Sequence, residues 1–163
     1  MDLEIDNQCQ DIREKMSANL AHFKAMLELS QQLNSESIDT EVELFNEFLK
    51  QRQDMIKEID QVNQEINFLQ TRINHKIGLE HFNLDSVQSY ISGDLYEQLS
   101  NQYSLIKDVI QQIQALDKEY TKNAEVEKEA AKLKLLRFKS IIRQGKSYQN
   151  TNKPEARFID KQR

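Results

Sequence analysis

Apolar residues recur every three or four positions through most of this chain. The longest pattern covers residues 38–77 and contains neither glycine nor proline. Its apolar members are Ile38, Val42, Phe45, Leu49, Ile56, Ile59, Val62, Ile66, Leu69, Ile73 and Ile77. This spacing is the period of one face of an α-helix, held for about ten turns. A helix of that length, roughly 60 Å, cannot bury its apolar face alone, so the pattern predicts packing against other helices.

Two further helical patterns flank the long one. The first covers residues 2–34, and the third runs from about 94 to 120. The first has Ile5, Cys9, Ile12, Met16, Leu20, Phe23 and Leu27 on its apolar face, and the third has Leu95, Leu99, Tyr103, Ile106, Val109, Ile110, Ile113, Leu116 and Tyr120. The sequence therefore predicts an all-α fold, an antiparallel bundle of about three long helices.

The junctions between the helices carry helix-capping residues. Thr40 and Glu43 have the spacing of a capping box at the start of the second helix, with Ser37 or Asp39 as alternative caps. Gly78 follows the end of that helix. Residues 78–94 form a connector, after which Asp94 is expected to cap the third helix. Because the break before the second helix is short, the first two helices are expected to form an antiparallel αα-hairpin.

The apolar pattern weakens over residues 121–132 and returns in a basic amphipathic piece at 132–148. The apolar members of this piece are Leu133, Leu136, Phe138, Ile141 and Ile142. Residues 149–163 are polar and hold the one proline, which predicts a flexible tail. We therefore predict a helical bundle domain over 1–131 and a basic, amphipathic, partner-binding extension with its tail over 132–163.

Composition narrows the class of protein. With 3 glycines and 1 proline in 163 residues, the chain has too few turn residues for most β architectures. No apolar run approaches the length of a membrane span, and the polar, acidic N-terminus does not resemble a signal peptide. Cys9 is the single cysteine, which excludes an internal disulfide and indicates a reducing compartment. The predicted location is the cytoplasm.

Charge is distributed unevenly along the chain. The net charge of −5 divides into +7 for residues 118–163 (13 basic, 6 acidic) and −12 for residues 1–117 (9 basic, 21 acidic). The basic stretch from 132 to 146 leaves three interpretations open: a solvated helix face, a docking helix for a partner protein, or a surface for nucleic acid or membrane headgroups. The acidic balance of the whole protein argues against nucleic acid.

No pattern of catalytic residues stands out. His22, His75 and His81 are scattered, and no Glu precedes a His by three positions as in di-iron bundles. Cys9 lies on an apolar face without a neighbouring base, and phosphate-binding or nucleophile motifs are absent. The sequence predicts neither an enzyme nor a cofactor or metal. Arg52 interrupts the apolar face of the second helix; it either extends to solvent or pairs with a carboxylate of the first or third helix.

The C-terminal segment KSIIRQGKSYQNTNKPEARFIDKQR resembles the tails of flagellar type III export chaperones of the FlgN/FliT type. The residues that carry this resemblance are Gly145, Lys146, Tyr148, Phe158, Asp160, Lys161 and Arg163. The segment LFNEFLKQRQDMIKEID resembles the second helix of the same proteins, with Arg52 within a Glu/Lys-rich face.

The resemblance implies a cytoplasmic, non-enzymatic chaperone. It would bind a hook-associated or filament-cap subunit, prevent its premature assembly and deliver it to the export apparatus, with export-gate or ATPase components as further partners. The partner-binding residues it implies are Leu133, Leu136, Phe138, Ile141, Ile142 and Tyr148. An alternative is a coiled-coil scaffold that self-associates through its long helices, and a homodimer is left open. A third interpretation is an adaptor whose basic tail binds nucleic acid or membranes.

Overall fold

The computed structural model describes residues 2–35 and 42–151, with side chains described for 2–35 and 43–144. Its four α-helices are α1 (Leu3–Ser35), α2 (Val42–Ile77), α3 (Leu84–Val87) and α4 (Gly93–Thr151), with a 3₁₀ turn at Gln88–Tyr90. The described ranges contain no β-strand. The predicted all-α class is therefore confirmed. Thr40, where a capping box is predicted, lies outside the described residues. The side chains of the predicted flexible tail, residues 149–163, are also not among those described.

Helices α1 and α2 run antiparallel. Lys15 of α1 forms an ion pair with Glu65 of α2. Further along α1, His22 Nδ1 lies 3.2 Å from Glu58 Oε2 of α2. Residue numbers therefore rise along α1 as they fall along α2. The two helices form the αα-hairpin that the short break between them predicts.

Helix α4 runs parallel to α1 over the first part of its length. The Arg13 guanidinium donates a hydrogen bond to Gln98 Oε1 at 3.0 Å, and Asn34 Nδ2 donates to the Leu116 carbonyl at 3.1 Å. Residue numbers rise together on both helices. α1, α2 and the first part of α4 thus form an up-down-up bundle, as the apolar patterns predict.

Residues that change the chain direction lie in the connector. Gly78 follows the end of α2 with φ 73°, in the left-handed region. Any residue with a Cβ atom would be strained in this conformation, so glycine is favoured here. α4 begins one residue before the predicted cap, because the Ser92 hydroxyl, not Asp94, accepts a hydrogen bond from the Leu95 N–H at 3.3 Å. The Ser92 N–H in turn donates to Asp6 Oδ1 at 2.9 Å, which joins the start of α4 to α1.

The buried residues of the bundle follow a seven-residue repeat. On α1 the repeat runs through Ile5, Ile12, Asn19 and Met26, and on α2 it runs through Ile59, Ile66 and Ile73. An apolar face of an ideal helix drifts by about 20° per heptad relative to such a repeat, so helices that keep the repeat supercoil around one another. On α2 this places Phe48 in the core, while the predicted members Leu49 and Ile56 stay 46% exposed.

Most of the buried apolar side chains that the structure describes fall into two clusters. The larger one joins α1, α2, the connector and the start of α4, and contains Ile5, Cys9, Ile12, Met16, Ile66, Leu69, Ile73, Val87, Ile91, Leu95 and Leu99. The smaller one contains Met26, Ile59, Val109 and Ile113. Between them Asn19 is 2% exposed and its Nδ2 donates to Asn63 Oδ1 at 2.8 Å. A polar layer therefore divides the core.

The chain divides into two compact units, Met1–Tyr120 and Thr121–Arg163. The first unit holds both apolar clusters. The boundary falls where the apolar pattern of the third predicted helix weakens. The division into a bundle domain and a partner-binding extension after residue 131 stays a prediction. α4 contributes to both units as a single helix, Gly93–Thr151.

Candidate partner-binding segment

The second unit carries an exposed set of large apolar side chains. Every described side chain from 125 to 144 is exposed. The large apolar residues among them are between 44% and 64% exposed: Val126, Leu133, Leu135, Leu136, Phe138, Ile141 and Ile142. We call residues 126–142 the exposed segment. Because an unpaired apolar surface of this kind is unusual on a monomer, the segment is the strongest candidate for an interaction site.

The five apolar residues predicted for partner binding, Leu133, Leu136, Phe138, Ile141 and Ile142, all belong to this segment. The side chain of the sixth, Tyr148, lies outside the described residues. The sequence prediction missed Leu135, which is 54% exposed. Its signal was its spacing of three residues before Phe138 and seven before Ile142.

The exposed apolar residues do not form a single face. At about 100° per residue, Ala131, Leu135, Phe138 and Ile142 line one side of the helix with the 4-3-4 spacing of a coiled coil. We call these four residues the first seam. Val126, Leu133 and Leu136 lie on the opposite side and form the second seam, while Ile141 lies between the two. A helix with apolar residues on opposite sides is typical of one that packs between neighbours.

Cations surround both seams. The basic side chains are Lys132, Lys134, Arg137, Lys139 and Arg143, and all of them are exposed. No acidic residue occurs from 130 to 144. The nearest carboxylate, Glu129, lies 3.8 Å from the Lys132 ammonium, and both side chains are about two-thirds exposed. Such a surface ion pair contributes little to stability, and the positive charge is concentrated after residue 130, where no carboxylate follows up to 144.

Arg52, in contrast, is paired with a carboxylate of the first unit. Its guanidinium donates two hydrogen bonds to Asp117 of α4, at 2.8 and 2.7 Å. These bonds raise the pKa of Arg52 against the opposing effect of burial. The Phe45 and Tyr120 rings stack nearby with centroids 6.1 Å apart. Of the two interpretations of Arg52, the structure supports pairing with the third long helix.

The residues considered for chemistry have structural surroundings. Cys9 is fully buried, and desolvation raises the pKa of its thiol to about 11. This is the behaviour of a small apolar core residue and not of a reactive thiolate. Among the residues that the structure describes, no three His, Cys, Asp or Glu side chains are grouped so that they could hold a metal ion.

Comparisons with known proteins give no match to a family model, a curated protein or a solved structure. None of the helices within 2–35 and 42–151 combines the length and apolar content that a membrane span requires. The fold and the candidate site together define an all-α protein with a compact bundle and an exposed, basic, two-sided apolar helix.

Proposed function

We propose that this protein is an export chaperone of the flagellar type III kind, which holds a hook-associated or filament-cap subunit before export. Binding would prevent premature assembly of the subunit and bring it to the export apparatus. The exposed segment is the proposed binding site. The observation that carries the proposal is that six large apolar side chains between 133 and 142 are about half exposed, on a helix rich in cations.

The energetics of the segment favour a partner-binding role. Full burial of a large apolar side chain contributes about 1.5–3 kcal/mol. Six half-exposed side chains therefore leave on the order of 5–10 kcal/mol of gross burial energy that a partner can supply. Part of this would be offset by the ordering of the partner, which is the expected balance for a chaperone that must release its client.

The scaffold alternative requires an apolar surface on the long helices through which copies of the chain could associate. The middle and end of α2 bury Ile59, Ile66 and Ile73 within the chain itself. Among the described residues of α2, the large apolar side chains that stay exposed are Leu44, Leu49, Ile56 and Phe68, fewer than the seven of the exposed segment. This difference is why the chaperone proposal is preferred over self-association.

Affinity capture with matched phenylalanine variants tests the proposal. Phe138 and Phe68 are 61% and 63% exposed, one in the exposed segment and the other on α2. The wild-type protein and the variants Phe138→Ala, Ile142→Asp and Phe68→Ala would each be used to capture proteins from a lysate of the source organism, with mass spectrometry as the readout. The expected result is one flagellar axial protein captured by the wild type and by Phe68→Ala, with at least a several-fold loss for Phe138→Ala.

Two results would contradict the proposal. Capture of no axial protein by the wild type would remove the chaperone role. Equal capture by Phe138→Ala, by Ile142→Asp and by the wild type would place the binding site elsewhere on the protein. Since the side chains of Phe68, Phe138 and Ile142 are 63%, 61% and 44% exposed, the variants are expected to fold like the wild type.

A further inference from the structure

The first seam has the residue pattern of a coiled-coil strand whose charges all have one sign. In heptad notation, Leu135 and Ile142 occupy a positions and Phe138 a d position. The flanking e positions hold Lys132 and Lys139, and a flanking g position holds Lys134; all three lysines are exposed. Residues at e and g decide which helix a coiled-coil strand accepts, because they lie beside the partner's own flanking residues.

From this arrangement we infer that the occupant of the first seam is an acidic amphipathic helix, with carboxylates opposite Lys132, Lys134 and Lys139. The inference rests on the proposed partner-binding role and specifies the chemistry of the partner. The ion pairs across the seam would set orientation and register, while Leu135, Phe138 and Ile142 supply the apolar contact.

A second copy of the same segment does not fit. In a parallel pair, Lys134 of one helix would oppose Lys139 of the other; in an antiparallel pair, the e-position lysines would oppose each other. Both arrangements place like charges together. In the parallel pair Glu127, at the preceding g position, would oppose Lys132 and offset part of this repulsion, whereas the e-position lysines of the antiparallel pair have no such offset. Charge therefore acts against self-pairing through this seam.

Anionic lipid and nucleic acid would satisfy the cations but not the apolar residues. A helix lying in a membrane interface buries one apolar face. Here Leu133 and Leu136 lie on the side opposite Phe138, where an interfacial helix would have a polar face. Phosphate groups of nucleic acid would neutralise the lysines and leave the seam itself uncovered. An acidic helix satisfies the lysines and the apolar seam together.

The test uses the full-length protein and two designed helical peptides of about four heptads with identical Leu/Ile cores. One peptide carries Glu at every e and g position, and the other carries Lys. Binding is measured by fluorescence anisotropy at about 0.05 M and about 0.3 M salt. The glutamate peptide is expected to bind at least about tenfold more tightly at low salt, with a gap that narrows several-fold at the higher salt.

A charge-reversed protein sharpens the test. Lys132→Glu/Lys139→Glu is expected to reverse the peptide preference. A double variant of exposed lysines in the first unit, Lys24→Glu/Lys107→Glu, has the same net charge and should keep the wild-type preference. Circular dichroism would show that both variants keep their helix content.

The inference is overturned by any of three results. The first is that the wild type binds both peptides equally or binds neither. The second is that Lys132→Glu/Lys139→Glu keeps the wild-type peptide preference. The third is that the protein binds only vesicles of phosphatidylcholine and phosphatidylglycerol. A concentration-dependent dimer of the protein alone that is lost in Ile142→Asp would also overturn it, in favour of a second copy. Failure here is separate from failure of the chaperone proposal, since an axial protein captured equally by wild type and Lys132→Glu/Lys139→Glu would keep the proposed function and remove the charge requirement.

Discussion

The first unit and the exposed segment are both helical and both rich in apolar residues, but they differ in where those residues lie. Ile73 of α2 is fully buried, whereas Leu136 of the exposed segment is 55% exposed. Helix formation by itself does not distinguish them, because α4 continues through both. What differs is how far the apolar side chains are buried within each unit. An apolar pattern therefore predicts a need for a packing partner without telling whether the partner lies in the same chain.

The largest expected effect comes from truncating core residues of the first unit. Ile73→Ala and Leu99→Ala should each lower the free energy of unfolding by about 2–5 kcal/mol, because each leaves a cavity in a packed interior. Leu136→Ala in the exposed segment should change it by less than about 0.5 kcal/mol. Urea denaturation followed by circular dichroism measures all three. Similar losses for Leu136→Ala and Ile73→Ala would show that the exposed segment is packed in solution.

Much of the fold follows from the sequence, because helix period and breakers are local signals. The end of α2 at Gly78 and the burial of Ile5, Ile12 and Ile73 agree with the predicted patterns. The detailed core does not, because the prediction extended a straight-helix face and the buried positions follow seven-residue spacing. That difference explains why Phe48 is buried where Leu49 was expected to be.

Polar members of the core could not be found by following apolar residues. Asn19 and Ser30 are 2% and 1% exposed. Asn19 continues the repeat of Ile5 and Ile12, and Ser30 lies two repeats of seven residues after the buried Met16. In the candidate site, the five predicted apolar residues with described side chains are exposed, but their division between two seams required the helix geometry of the whole segment. Leu135 was missed because its neighbours Leu133 and Leu136 also fit a helical spacing.

The Arg52–Asp117 pair links α2 to α4 inside the first unit, and its loss should have the second-largest effect. Arg52→Met should lower stability by about 1–2 kcal/mol, since a two-point charged hydrogen bond is lost while Asp117 can still be hydrated. This corresponds to about 2–8 °C in Tm. Lys57→Met is the control because its pair with Asp54 is exposed and local, so Tm should hardly change. If Lys57→Met lowered Tm as much as Arg52→Met does, ion pairs on one helix surface and ion pairs between helices would contribute equally to stability.

The polar layer at Asn19 should affect specificity more than stability. Asn19 Oδ1 is buried and accepts no hydrogen bond, so Asn19→Leu removes an unsatisfied acceptor and is expected to leave stability unchanged or raise it by up to about 1 kcal/mol. A buried Asn at a heptad position also selects one helix register, so the variant should populate more than one packing arrangement. Broadened or doubled amide signals in NMR spectra would show this. A clear loss of stability with one sharp set of signals would mean that the Asn19–Asn63 bond outweighs the cost of burial.

The smallest expected effect on stability at neutral pH is that of the raised pKa of Cys9. The same thiol allows the two regions to be compared by chemical labelling. Since its pKa is raised to about 11, its thiolate fraction near pH 8 is about 100-fold below that of an ordinary thiol. Disulfide-exchange labelling of the native protein should therefore be slower by at least that factor than in urea. A Cys9→Ala protein with Ser140→Cys places a thiol in the exposed segment, where labelling should be fast with or without urea.

The same pKa shift predicts how stability depends on pH at the alkaline end. The folded state holds the Cys9 proton up to about pH 11, while the unfolded chain releases it near pH 9. Between these values the unfolded state binds fewer protons, so stability falls as pH rises, and Cys9→Ala should remove that part of the decline. Below pH 9 both states keep the proton, and the shift contributes no slope. An identical alkaline decline in wild type and Cys9→Ala, together with rapid native labelling, would mean that Cys9 is open to solvent and that the core of the first unit is less closed than its packing indicates.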